Sequence, residues 1–245
     1  MLGTETWLPD DAVIGERVEL RADAPPAPTV GAGWLRSSHA NLWDEGCRRD
    51  AVRNDFVVPA LVEALRHSGH SRVIDLGAGT AYVLSELRRR SNRIRGVRFT
   101  AVEQEASLCE WLDEAHGREW LDVDHRNFLD GPRKPRGPAL VISAYSLLEV
   151  EGPQLAYLRC SLQFGDTLVV SVATQAAATG QVRRSEVRRP YKRDRFTGLW
   201  YPLFEHPVGT LLDAFSAFGA RLIGSRAVTT ASEDHHSILV FRLDG

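Results

Sequence analysis

The sequence predicts an α/β fold, a mainly parallel sheet with helices on both faces. Short apolar runs that read as strands alternate with segments of helical spacing along most of the chain. The first of these runs ends in glycines that open the next helix, the turn of a parallel strand–helix unit. The chain has 245 residues, 43% apolar and 25% charged, enough for one large α/β domain or two small ones with a full core.

The elements follow in order. Residues 1–36 read as an arm and linker, because residues 22–33 are rich in Pro, Ala and Gly. From Ser37 to His67 the pattern is helical, with Val57, Leu61, Val62 and Leu65 on one face. The predicted strands are 72–76, 97–102, 121–124, 139–143, 167–172, 221–225 and 237–242. The predicted helices between them are 80–90, 106–116, 153–163 and 208–218. Residues 37–245 then form one domain with a lid-like insertion at about 174–205.

Composition removes several classes. With 30 basic and 32 acidic residues the net charge is −2, which fits neither a uniformly basic nucleic-acid coat nor an acidic disordered chain. Only Lys134 and Lys192 are lysines, so almost all positive charge is arginine, which binds carboxylates and phosphates in a bidentate way. Cys47, Cys109 and Cys160 form no disulfide framework or metal knuckle, and a reducing cytoplasm is the expected setting. Residues 1–10 lack the charged and apolar regions of a secretory leader, and no membrane span is expected.

The most informative stretch is Val73-Ile74-Asp75-Leu76-Gly77-Ala78-Gly79-Thr80-Ala81. Its glycines allow a sharp turn and close approach of backbone to a ligand at the carboxyl end of a strand. Tyr82 occupies the third glycine position of a dinucleotide fingerprint, which argues against a pyrophosphate there. The next strand, Val97 to Val102, leads into Glu103, and a carboxylate at that point can accept both hydroxyls of a ribose.

Together these residues resemble class I S-adenosylmethionine-dependent methyltransferases of the small-molecule type, over roughly residues 55–245. The resemblance implies a seven-stranded Rossmann-like sheet with an antiparallel last strand and an N-terminal helical cover. It implies that Asp75, Gly77, Ala78, Gly79 and Thr80 line the methionine part of the cofactor and that Glu103 holds the ribose. Gln104, Asn127 and Phe128 would lie by the adenine, and Ser143 and Tyr145 beside the reactive methyl. Ala81 departs from the last glycine of the G-x-G-x-G form. The cofactor implied is S-adenosylmethionine, leaving S-adenosylhomocysteine, with no metal.

Methyl transfer from a sulfonium is an in-line displacement, for which the protein mainly supplies alignment and exclusion of water. A general base is needed only for a protonated nucleophile. His206, in an aromatic His-Pro segment, is the leading candidate base, and Tyr145 is a second catalytic candidate. Residues 183–205 carry seven basic against three acidic side chains, with Tyr191, Phe196, Trp200, Tyr201 and Phe204 among them. Three readings of this segment stay open: a cover over a planar anionic substrate, an RNA-binding face, and a solvated loop with a few core aromatics. Arg195, Trp200 and Tyr201 are its substrate-binding candidates, with His39 and Trp43 from the helix before the core.

The expectation is therefore a methyltransferase acting on an oxygen or nitrogen of a small, aromatic or anionic metabolite, as in secondary metabolism. Its partners would be that metabolite and at most a second copy of itself, without a membrane. An RNA or tRNA methyltransferase, and a protein that uses the cofactor without methylating, are the alternatives.

Overall fold

The computed structural model describes residues 35–91, 96–131, 136–150, 152–174, 191–193, 200–202, 204, 206–229 and 235–244. Helix α1 (Ser37–Arg49) is followed by a π-helical turn (Val52–Val57) and α2 (Val58–Ser68). The helical pattern is interrupted at Asp50, whose extended backbone (φ −78°, ψ 103°) ends α1, and it resumes from Ala51. Pro59 stands in the first turn of α2 and has no N–H to donate, and the Val58 N–H reaches back to the Arg53 carbonyl in the wider π pattern.

The sheet strands are β1 (Arg72–Leu76), β2 (Arg98–Glu103), β3 (Leu121–His125), β4 (Leu140–Ala144) and β5 (Thr167–Thr174), and β8 (Ala220–Thr229) and β9 (His235–Leu243) complete it. Between β5 and β8 lie the short strands β6 (Tyr191–Arg193) and β7 (Trp200–Pro202), which form an antiparallel hairpin of their own. The other helices are α3 (Tyr82–Arg90), α4 (Ala106–His116) and α5 (Val208–Ser216). The order of the seven-stranded sheet is β3-β2-β1-β4-β5-β9-β8. The first five strands run parallel, and β9 is antiparallel to both its neighbours. This is the expected fold class, with the antiparallel last strand inserted between β5 and β8.

Side-chain alternation sorts the core into two layers. Val73, Leu140, Ile142, Val169, Ile238 and Val240 pack with α2 and α3 on one face. Ile74, Leu76, Val141, Leu168, Val170, Leu239 and Phe241 pack with α5 on the other, along with Leu155, Leu158 and Leu162. The segment predicted as a helix at 153–163 is a 3-10 helix, Gly152–Ser161.

Strand order reverses between β1 and β4, the switch point at which open α/β sheets form a ligand crevice at the carboxyl ends of their strands. The turns after β1 and β4 flank that point.

Candidate cofactor and transfer site

At the end of β1 the backbone turns through left-handed residues at Gly77 (φ 70°), Gly79 (φ 57°) and Ala81 (φ 53°). Gly77 is required twice over. A Cβ there would stand 2.6 Å from Ser146 Cβ, and its φ is one that side chains disfavour. Its N–H and that of Ala78 both donate to the Val102 carbonyl, which ties the turn to β2. Ala81 adopts the same left-handed geometry with a Cβ, so the departure from the glycine pattern is retained at a conformational cost. It also delays the start of α3 to Tyr82, two residues after the predicted start.

Glu103 ends β2 with 7% exposure. Its Oε2 accepts from the Gly79 N–H at 3.0 Å, and its Oε1 accepts from the N–H groups of Gln104 (2.8 Å) and Glu105 (3.1 Å). Burial raises its pKa, and the Gly79 and Gln104 N–H groups oppose that rise. The Gln104 carbonyl pairs with His125 Nε2 at 3.1 Å. Asn127 Oδ1 accepts from the Leu129 N–H and caps the 3-10 turn that carries Phe128. The Phe128 ring approaches Gly77, with Cε1 at 3.4 Å from the position a Cβ there would take. Gly77, Gly79, Glu103, Gln104, Asn127 and Phe128 therefore gather at one edge of the sheet.

Asp75 sits one residue before the end of β1 at 2% exposure, and its Oδ1 is buried without a hydrogen-bond partner. Burial pushes its carboxyl up to about 8, against the pull of Arg53 and with a further rise from Glu103. Arg53 is a buried charged residue beside this turn that the sequence reading missed. Its side chain is buried on the π-helical turn, with the guanidinium 5.4 Å from the Trp43 ring centroid and 5.3 Å from that of Tyr145. One of its terminal nitrogens donates to Cys47 Sγ. Its Nε is buried without a hydrogen-bond partner, and the nearest carboxylate, on Asp50, stands 4.0 Å away. An acceptor and a donor that are both buried and unsatisfied, within electrostatic reach of each other, are costly in the protein alone. They fit a ligand that carries an ammonium and a carboxylate.

Trp43 reaches from α1 over the turn, with Nε1 at 3.6 Å from the position a Gly79 Cβ would take. Thr80 is buried, with its hydroxyl 3.4 Å from Asp44 Oδ1 and its carbonyl paired with His116 Nε2. Ser143 is buried and shares a hydrogen bond with Ser146 at 2.6 Å. Tyr145 follows β4 in a left-handed conformation (φ 69°), and its hydroxyl pairs with His236 Nδ1 at 3.1 Å. His39 is not gathered into this cluster: its Nδ1 pairs with the adjacent Ser38 hydroxyl at 3.0 Å. Arg195 and the side chains of Trp200 and Tyr201 lie outside the described residues.

The structure corrects the reading of His206 as a base. The residue has 0% exposure, and its Nε2 lies 3.2 Å from the Leu147 carbonyl and 2.8 Å from that of Val150, so that nitrogen is a donor. Its Nδ1 is buried without a partner, and burial lowers the pKa of the ring. Together with the Phe204 N–H on the Leu148 carbonyl at 2.7 Å, it staples the end of the insertion onto the turn after β4. That is a packing role.

Among the described residues no cluster of His, Cys, Asp or Glu has the arrangement of a metal site, and no helix is long and apolar enough to cross a membrane. A concavity of about 480 Å³, lined by Arg88, Arg98, Phe99, Arg118 and Trp120 among others, opens at the N-terminal ends of β2 and β3. That is the opposite edge of the sheet from the glycine turn. Among the described residues it has no unsatisfied buried group of the Asp75 and Arg53 kind, so the candidate site is placed by chemistry and not by cavity size.

No protein-family profile matches the chain, and no curated protein sequence matches it. Solved structures do match. The crystal structure of the [4+2]-cyclase SpnF is 16% identical with a TM-score of 0.61, over 90% of this chain and 99% of that one. Geranyl diphosphate methyltransferase, solved with GPP and sinefungin, is 15% identical with a TM-score of 0.55, over 75% of this chain and 78% of that one. The 1,6-didemethyltoxoflavin-N1-methyltransferase of Burkholderia thailandensis, solved with bound 1,6-didemethyltoxoflavin and S-adenosylhomocysteine, is 16% identical with a TM-score of 0.52, over 91% of this chain and 94% of that one. The chain has the fold of the class I S-adenosylmethionine-dependent methyltransferases.

Proposed function

We propose that the protein transfers a methyl group from S-adenosylmethionine to an oxygen or nitrogen of a small metabolite. The observation that carries this reading is the buried pair of unsatisfied groups, Asp75 Oδ1 and Arg53 Nε, beside the glycine turn and Glu103. In this reading Asp75 receives the α-ammonium of the cofactor, Arg53 its carboxylate, and Glu103 its ribose hydroxyls. Gln104, Asn127 and Phe128 border the adenine. Gly77 and Gly79 keep the turn free of side chains, and Trp43 closes over it from α1.

Bound in that cradle, the cofactor supplies a methyl group already activated on a sulfonium. The chain then has to orient the acceptor, exclude water and accept any proton the acceptor loses. Ser143 and Tyr145, at the end of β4, stand on the acceptor side. The arginine- and aromatic-rich segment 183–205 is the natural cover for an aromatic or anionic acceptor, with Arg195, Trp200 and Tyr201 as its contacts. The fold is shared with a [4+2]-cyclase as well as with methyltransferases, so a catalyst that binds the cofactor without spending its methyl group is the second reading.

Incubation with S-adenosylmethionine and a panel of phenols, aromatic acids and amines separates the two. Release of S-adenosylhomocysteine with a methylated product supports the first. Tight cofactor binding with no release on any member of the panel favours the second.

A further inference from the structure

With His206 withdrawn, the transfer site needs another destination for a proton, and the sheet topology provides one. β9 is antiparallel to β5, so it begins at the edge where β1, β2 and β4 end. His236, paired with Ala173 of β5 and Val228 of β8, therefore stands at the carboxyl edge beside Tyr145, 91 residues away in sequence. The Tyr145 hydroxyl meets His236 Nδ1 at 3.1 Å, and the two rings pack edge to face at 5.8 Å.

The residue that makes this contact has an unusual backbone conformation. Tyr145 holds a left-handed φ of 69°, fixed by its N–H on the Ser171 carbonyl at 2.9 Å and by the Leu148 N–H on its own carbonyl at 3.1 Å. A non-glycine residue in that region costs on the order of 1–3 kcal/mol and tends to mark function. The Tyr145 ring touches both core layers, as a residue lying across the end of the sheet does.

We propose that Tyr145 and His236 form the proton relay of the transfer site. Tyr145 Oη takes the proton leaving the methyl acceptor while its own proton passes to His236 Nδ1. One proton enters the pair and one is stored on the imidazole, which returns it to solvent between turnovers. The inference rests on the methyl-transfer reading above.

The surroundings favour a relay over a phenolate base. Burial pushes the Tyr145 phenol up to about 12, against the pull of Ser171 and Arg53, so it stays protonated at neutral pH and has to pass a proton on to accept one. Among the described residues the charged groups facing Tyr145 are Arg53, 5.3 Å from its ring centroid, and Asp50. The β5 and β8 neighbours of His236, Ala173 and Val228, are uncharged. The Arg53 charge favours the developing negative charge on Tyr145 Oη.

The test uses the full chain. Nitrogen-15 NMR of labelled histidine at pH 8 should show His236 Nδ1 unprotonated, with a signal that shifts in Tyr145→Phe. His236→Gln can accept the hydrogen bond but cannot bind the proton. On a panel of simple phenols it should lower kcat about 100-fold with KM unchanged, a loss of the size general-base catalysis supplies. Added imidazole should restore part of the rate, and calorimetric S-adenosylmethionine affinity should stay that of the wild type. A protonated Nδ1, a signal insensitive to Tyr145→Phe, or an unchanged kcat overturns the relay. A wild-type chain that fails to bind S-adenosylmethionine overturns the methyl-transfer reading instead, while the NMR still reports on the pair.

Discussion

Glu103 and Gly79 meet through a hydrogen bond from backbone to carboxylate, Gly79 N–H to Glu103 Oε2 at 3.0 Å. The bond joins the acid that ends β2 to the second glycine of the turn after β1. It holds the carboxylate at 7% exposure as an acceptor pair, with two further N–H groups fixing its other oxygen. A ribose arriving at this point meets an acid that is already oriented. Four further consequences can be measured alongside the binding test of Glu103 itself.

Asp75 couples cofactor binding to protons. Its folded pKa is raised to about 8 by burial, well above the ordinary carboxylate value. The folded state therefore binds a proton that the unfolded state has lost, and this contribution to stability falls as pH rises from about 4 to about 8. Asp75→Asn should flatten that part of the profile and raise the melting temperature of the ligand-free protein at pH 8. Pairing with the cofactor ammonium ionises Asp75, so binding near pH 7 should release close to one proton. Calorimetry in buffers of different ionisation enthalpy reads this directly.

Arg53→Met should separate the two ends of the cofactor. A hydrogen bond to a charged group is worth about 1.5–3 kcal/mol, so S-adenosylhomocysteine affinity should fall by roughly tenfold or more. Affinity for 5′-methylthioadenosine, which lacks the amino acid end, should be unchanged. Equal losses for both ligands would remove Arg53 from that role.

Gly77 and Gly69 make a matched pair. Both have positive φ (70° and 66°), but a Cβ at Gly69 meets nothing within 4 Å, while one at Gly77 meets Ser146 Cβ at 2.6 Å. Gly69→Ala should cost about 1 kcal/mol from backbone strain alone. Gly77→Ala should cost at least 1 kcal/mol more, in the range typical of overpacking, and should disturb the cofactor turn. Chemical denaturation of both variants gives the difference.

His206→Ala should act on stability and not on the pH dependence of turnover. It removes a fully buried ring and its Nε2 contacts to the Leu147 and Val150 carbonyls, at a cost of about 2–4 kcal/mol. Denaturant midpoints and cofactor titration should show a less stable chain whose S-adenosylmethionine affinity holds.

Local signals made much of this readable in the sequence. The apolar run into Asp75 and the glycines, and the acid ending β2, are contiguous patterns whose chemistry depends on neighbours in the chain. The continuous apolar runs of β4 and β5 marked them as strands of the sheet. Arg53 was hidden because an arginine on an amphipathic segment reads as solvated; its burial comes from Trp43 and Tyr145, which only tertiary packing brings to it. His206 misled for the same reason, since its partners lie 56 and 59 residues earlier in the chain. The π-helical turn runs directly into Pro59, whose missing N–H was a cue present in the sequence and unused. The Tyr145–His236 contact needed the antiparallel placement of β9, which no local pattern encodes.

The most direct test of the account is calorimetric titration of S-adenosylmethionine into the wild-type chain and Glu103→Ala. One site per chain is expected, with a loss of affinity of roughly tenfold or more in the variant and the fold intact by circular dichroism. Equal affinity in the two proteins would contradict the assignment of Glu103, and no binding to the wild type would contradict the reading of the whole site.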